Sequence, residues 1–179
     1  VHTLEMNALR GWGVAFLGFV ATHTGTTTHL WSPTVVLTIL GLVGTLASVA
    51  GNEAAIRFGR RRLIALAMLA SMALALTLGL AGSLSYGLAV GLLTLYSMIV
   101  WLDSSSLTAG AAGTAEPSKR GATLAVHSML GYAGGFVGPL AVGWTLDAAG
   151  GASPIAWGLA FALIAALMGI ALVVFWWLQ

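Results

Sequence analysis

The chain has 179 residues, of which 59% are hydrophobic and 7% are charged, and its formal net charge is +2 at pH 7. Soluble globular domains carry about 25% charged residues, so this composition excludes a soluble domain. The seven basic residues are too few and too localised to form a nucleic-acid-binding surface.

The first predicted membrane span, 1–24, differs from the others because its apolar part is short. Its uncharged run, 11–22, reaches only ~18 Å as a helix, against a hydrocarbon core of ~30 Å. His2, Glu5 and Arg10 lie upstream of that run, and no signal-peptide pattern precedes them. Since the chain opens without a methionine, we expect a fragment that starts inside a membrane helix.

Five further apolar stretches match or approach the ~20 residues that cross a bilayer as a helix. Alternating strand patterns are absent from the sequence, which argues against a membrane barrel. The sequence therefore predicts an all-α polytopic membrane protein, with residues 1–179 forming a single transmembrane unit. The further spans are predicted at 33–52, 63–82, 86–109, 121–147 and 154–178.

The basic residues indicate how these spans are oriented. Six of the seven lie in two connections, 52–62 and 113–120, while the connections 25–32, 83–85 and 148–153 contain no lysine or arginine. Basic connections face the cytoplasm in membrane proteins. We therefore expect 52–62 and 113–120 to be cytoplasmic and the first helix to run outward.

Two ionisable residues are predicted inside the bilayer at a common depth. Asp103 is expected ~9 Å, and His127 ~10 Å, to the cytoplasmic side of the midpoints of their spans. A charged side chain at the centre of a membrane helix costs about 2.5–3.5 kcal/mol on insertion scales, so such residues are functional candidates. A packing histidine and a water-exposed helix end are the structural alternatives for these two residues.

The first basic connection reads GNEAAIRFGRRR, over 51–62. It is similar to the loop signature of the major facilitator superfamily, in which an acid and a base are followed by glycine and a basic pair. Arg57, Gly59, Arg61 and Arg62 match the end of that signature. Ile56 stands where the family usually has an acid. We expect neighbouring residues, Glu53 among them, to substitute for the missing members of the signature.

Other segments resemble the same family. The opening HTLEMNALRGWGVAFLGF looks like helix seven of certain bacterial members, and the segments YSMIVWLDSSSLTAG and EPSKRGATLAVHSMLGYAGGFVGPLAVGWTLD look like helices ten and eleven. The resemblance implies the carboxy-terminal six-helix half of a major-facilitator-type bundle, with its first helix truncated and its amino-terminal half missing. It further implies a secondary active transporter of a small solute in a bacterial plasma membrane.

The resemblance also gives the ionisable residues alternative roles. Helices ten and eleven are neighbours in the family, so Asp103 and His127 can pair and share a proton, which leads us to expect proton coupling. Asp103 can instead form a structural latch with Arg57 of the cytoplasmic gating loop, whose predicted members are Glu53, Arg57, Gly59, Arg61 and Arg62. Glu5 and Arg10 are candidates for the substrate pathway or for pairing with the missing half.

Small residues in the span 121–147 predict close helix packing. Gly134 and Gly138 form a GxxxG pattern, which lets two membrane helices approach closely. Pro139 follows directly and removes one backbone hydrogen bond, so a bending point is the functional alternative.

Nothing in the sequence indicates an enzyme or a cofactor, because the common catalytic and phosphate-binding motifs are absent. His23 and His29 are six residues apart, which fits one helix face poorly, so we expect no metal site. The alternative to a transporter is a six-helix membrane subunit or scaffold that moves no solute.

Overall fold

Helices make up nearly all of the computed structural model, which describes residues 1–26 and 31–177. In this described part the chain forms seven α-helices, one short 3₁₀ turn and no strand, which confirms the predicted all-α polytopic class. The helices are α1 (His2–His23), α2 (Pro33–Phe58), α3 (Arg60–Ala81), α4 (Tyr86–Leu102), α5 (Ser104–Thr114), α6 (Arg120–Ala148) and α7 (Pro154–Trp177), and the 3₁₀ turn is Pro117–Lys119.

Among the described residues, five helical segments are long and apolar enough to cross a membrane. Four of them are α2, α3, α7 and α6 with its preceding 3₁₀ turn; the fifth is α4 with α5. The predicted span 1–24 forms α1, which carries His2, Glu5 and Arg10 and is not among these five segments. The last predicted span, 154–178, forms α7, and residue 178 lies outside the described part.

Serine residues define where α2, α4 and α7 begin. Ser32 and Ser85 cap α2 and α4 by accepting from backbone N–H groups three residues later, and Ser153 accepts from Ala156 in the same way. Such a cap satisfies one of the free N–H groups of the first helical turn. Proline at the first helical position of α2 and α7 supports the same boundaries.

The predicted loop 52–62 is helical except at one residue, so the prediction of a loop there is wrong. Residues 52–58 contain no proline and continue α2, since their helix propensity is sufficient. The chain breaks only at Gly59, whose φ of +93° favours glycine, and α3 begins at Arg60. The two helices therefore meet at a single-residue corner.

The predicted span 86–109 is interrupted at Asp103. The first helix, α4, ends at Leu102, and α5 continues from Ser104 to Thr114. The connection predicted at 113–120 is shorter than expected: 113–114 end α5, residue 120 begins α6, and a short turn that ends in the 3₁₀ segment lies between them. In that turn the Ser118 hydroxyl donates to Glu116 (2.6 Å) and Lys119 pairs with it (3.1 Å), and both contacts lower the pKa of the Glu116 carboxyl.

The helices pack mainly as three pairs. Each pair joins one helix of the first three spans (α1, α2 and α3) to one helix of the last three (α4 with α5, α6 and α7). Helix α1 lies along α6, α2 lies along α4 and α5, and α3 lies along α7. The first two pairs are parallel, whereas α3 and α7 are antiparallel and approach closely at Gly79 and Gly158. The pairing joins the first helix of each three-span set to the second helix of the other set, and third to third.

Candidate functional site

Two polar bridges connect α1 to α4 in the interior of the bundle. The Nδ1 atom of His2 lies 3.0 Å from Oδ1 of Asp103, and the hydroxyl of Tyr96 donates to Oε1 of Glu5 at 2.8 Å. His2 and Glu5 are three residues apart on α1, so they share one helix face. Tyr96 lies on α4, and Asp103 directly follows the last residue of that helix, at its junction with α5.

Three of these bridging side chains, those of Glu5, Tyr96 and Asp103, are buried, whereas His2 is partly buried. Glu5 is 1% exposed and Asp103 is 4% exposed. Burying a polar group is costly unless it is hydrogen-bonded, which explains why each carboxyl group has a partner on the facing helix. The Nε2 atom of His2 is also buried, and no group in the described part of the chain hydrogen-bonds to it.

A cavity of about 380 Å³ opens beside the His2–Asp103 bridge. Ligand pockets in proteins typically measure about 300–1,000 Å³, so this cavity has the size of a small-molecule site. Polar side chains line one part of it: His2, Thr3, Asp103, Ser104, Thr108 and His127. Apolar side chains line the rest, including Met6, Ile64, Met68, Leu107, Met168 and Phe175.

The structure places Asp103 and His127 at the same cavity, but it gives Asp103 a different partner from the predicted His127. The imidazole bonded to Asp103 is that of His2 on α1. Depth along a helix can be counted from the sequence, whereas the direction of a side chain around the bundle depends on how the helices pack.

The latch between Arg57 and Asp103 is not formed in this conformation. The Nη2 atom of Arg57 lies 2.9 Å from Oε1 of Glu53, one turn earlier on α2, and both side chains are exposed. Arg61 lies over the ring of Trp176 at 5.1 Å, so the members of the gating loop contact α2 and α7 in place of α4. Arg62 is exposed on the first turn of α3.

Arg10 and Glu5 occupy different environments. The guanidinium of Arg10 lies 4.5 Å from the ring centroid of Trp101, on the exposed side of α1. A cation over an indole face is an electrostatically favourable contact. Arg10 therefore does not pair with Glu5, which faces Tyr96.

The glycines of α6 contact α1 directly. Gly138 is so close to Leu4 that a Cβ atom would overlap the Leu4 carbonyl oxygen, and Gly134 also faces Leu4. Pro139 lies inside the continuous helix α6, and its carbonyl oxygen accepts a hydrogen bond of 2.8 Å from Nε1 of Trp12.

Sequence reasoning missed the roles of Tyr96 and of an aromatic cluster on α1 and α7. Trp12, Phe16, Trp157 and Phe161 contact one another edge-on or tilted and, with Glu5 and Tyr96, line a cavity of about 30 Å³. The seven-residue spacing of Tyr96 and Asp103 was the available signal, since it would place both on one face of a continuous helix.

In the described residues, no group of three or more His, Cys, Asp or Glu side chains could hold a metal ion. His29 lies outside those residues. A comparison with models of known protein families gives no match, and neither does a comparison with curated protein sequences.

Proposed function

We propose that this chain is one six-helix half of a major-facilitator-type secondary transporter, which moves a small solute across a bacterial plasma membrane by alternating access. The observation that carries the proposal is a ligand-sized cavity beside a buried carboxylate inside a polytopic bundle. Ionisable groups at membrane depth are costly, and they mark substrate and proton pathways. The His2–Asp103 bridge is the proton-binding element of this proposal.

The pairing of the helices supports the proposal. Suppose that α1, α2 and α3 exchange places, in order, with α4, α6 and α7. The pair of α1 and α6 then becomes the pair of α4 and α2, and the pair of α3 and α7 becomes itself. Inverted repeats of three helices, nested in a six-helix half, have this property. A transporter uses such halves as rigid bodies that rock around a central site.

Sidedness is tested with single cysteines, because the chain contains no native cysteine. The proposal places Ser118 in the cytoplasm and Ser83 outside. In intact cells, a membrane-impermeant thiol reagent should label Ser83→Cys, and it should reach Ser118→Cys only after the cells are opened. The opposite pattern would overturn the proposed topology.

Transport is tested on the full-length protein in proteoliposomes that enclose a pH-sensitive dye. A panel of small cations, anions and neutral solutes is added in turn, and proton movement is recorded. At least one solute should drive proton flux in the wild type and none in Asp103→Asn. Asp147→Asn, an exposed position near the end of α6, is the matched control and should keep the flux.

A scaffold would give another result. No solute would move in any variant, although the protein remained folded, and that outcome would contradict the transporter proposal. The sequence upstream of the chain gives an independent check, since the proposal requires a preceding six-span half.

A further inference from the structure

We infer that the corner where α2 meets α3 binds the headgroup of an acidic phospholipid, which the arginines at the start of α3 hold between α5 and α7. Such a site does not depend on transport, so it goes beyond the proposed function. Three features of this end of the bundle point to it: unpaired positive charge, arginines that neighbouring helices hold in place, and an exposed aromatic and apolar surface.

Basic residues outnumber acidic ones at this end of the bundle. The two basic connections contain six basic residues and only two acidic ones. Both acidic side chains are already paired, Glu53 with Arg57 and Glu116 with Lys119. Among the described residues, no carboxylate pairs with the arginines at 60–62. Their positive charge is therefore available to an anion from outside this part of the chain.

The arginines at 60–62 form the first turn of α3, where the helix dipole is itself positive. Gly59 precedes them and has no side chain that could cap the turn. Like charges at this position are unfavourable, and the first backbone N–H groups of a helix have no partner within it. A phosphate group at this place is stabilised by the guanidinium groups and by the helix terminus together.

Contacts with two neighbouring helices hold Arg60 and Arg61. The stem of Arg60 lies against α5, since a Cβ atom at Gly110 would be 3.3 Å from Cδ of Arg60. The guanidinium of Arg61 lies 5.1 Å from the ring centroid of Trp176 on α7. Because both side chains are already ordered by these contacts, binding an anion costs them little further conformational entropy.

The surroundings of the arginines fit a phospholipid better than a free phosphate ion. Phe58, Trp176 and Trp177 are exposed at the same end of the bundle, and exposed tryptophans are typical of the membrane interface. Further along α3 and α7, exposed side chains are apolar, Leu66 and Val173 among them. Acyl chains can lie along this surface while the headgroup reaches the arginines.

Lipid binding is measured by native mass spectrometry on the full-length protein in detergent. The probes are dioleoylphosphatidylglycerol, which is anionic, and dioleoylphosphatidylcholine, which has the same acyl chains and no net charge. Each basic residue near an anionic membrane surface changes the affinity about fivefold. The first phosphatidylglycerol should therefore bind at least about tenfold more tightly than the first phosphatidylcholine, because more than one arginine contributes. Equal affinity for the two lipids would overturn the inference.

Arg61→Gln should weaken phosphatidylglycerol binding about fivefold and leave phosphatidylcholine binding unchanged. Lys119→Gln is the matched control, since it also removes one positive charge at this end of the bundle. Lys119 is paired with Glu116 on the surface, so its loss should change the affinity by less than about twofold. Equal losses in the two variants would show a diffuse attraction without a site, and the inference would be wrong.

A measurement on the wild type keeps the test decisive if Arg61→Gln does not fold. Phosphatidylglycerol with brominated acyl chains should quench tryptophan fluorescence at a lower concentration than brominated phosphatidylcholine, because Trp176 lies beside the site. Inorganic phosphate at the same concentration should not reverse the quenching. Reversal would show that the arginines bind a free anion, which contradicts a lipid site. Neither result bears on solute transport.

Discussion

Helix α1 packs against α6 and against α4 in two different ways. Along α6 the contact is close and mostly apolar, with Leu4 against Gly134 and Gly138. Along α4 the contact includes two polar bridges, from His2 to Asp103 and from Tyr96 to Glu5. Membrane helices gain no hydrophobic driving force from each other, so close packing and hydrogen bonds are the available means of association.

The difference indicates what each contact depends on. Close packing at glycine depends on shape alone and is lost when two helices separate by a small distance. A hydrogen-bonded bridge depends on protonation and can exchange its partner for a ligand or a water molecule. The α1–α6 contact therefore depends on side-chain size, and the α1–α4 contact depends on its donors and acceptors.

The largest effect is expected at the centre of the close contact. Gly138→Val should destabilise the protein by about 3 kcal/mol, because the new side chain overlaps the Leu4 backbone. The measurement is the free energy of unfolding in mild detergent. Gly121→Val is the control, since Gly121 has open space around it on the same helix. Equal losses for both variants would contradict the proposed role of close packing.

A smaller effect is expected at the buried bridge to α4. Tyr96→Phe should cost about 1–2 kcal/mol, because it removes the hydroxyl that donates to the buried Glu5 carboxyl group. In a Glu5→Leu background the same substitution should cost less than about 0.5 kcal/mol, since the acceptor is gone. The two costs are compared by chemical unfolding of the four proteins.

Tyr132→Phe provides the control for that cycle, because Tyr132 is 78% exposed. It should leave stability unchanged in both backgrounds. If Tyr96→Phe costs the same with and without Glu5, the bridge does not contribute to the contact.

The smallest effect is expected for the hydrogen bond between α1 and α6. Trp12→Phe removes the donor to the Pro139 carbonyl oxygen, and hydrogen bonds between membrane helices average about 0.6 kcal/mol. Thermal unfolding should show a small decrease in stability, and Trp144→Phe, at a residue that is 79% exposed, should show none. A loss as large as that of Gly138→Val would show that α1 and α6 are held by polar contacts as well.

Much of the fold was predictable because it depends on local properties of the sequence. The candidate spans follow from uncharged runs, and the place of Asp103 inside one of them follows from counting residues. The loop prediction for 52–62 failed because charged residues were taken to end a helix, whereas glycine at position 59 is what ends it. Helices extend beyond the bilayer wherever their residues favour helix formation.

The partners of the buried polar groups were less predictable. Asp103 and His127 do reach one cavity, but His2 bonds to Asp103 and Tyr96 bonds to Glu5. These contacts join residues about 90 to 100 positions apart. They depend on which helices are neighbours and on the rotation of each helix, and a single sequence with no family match does not specify either.

The sequence by itself determined that this protein is an all-α membrane bundle, because apolar length and charge distribution act locally along each helix. It also determined that a carboxyl group, Asp103, lies within a span. Only the tertiary structure decided that Asp103 meets His2 beside a ligand-sized cavity and that Glu5 meets Tyr96. The physical reason is that both contacts arise where α1 and α4 pack, and packing depends on all the helices together.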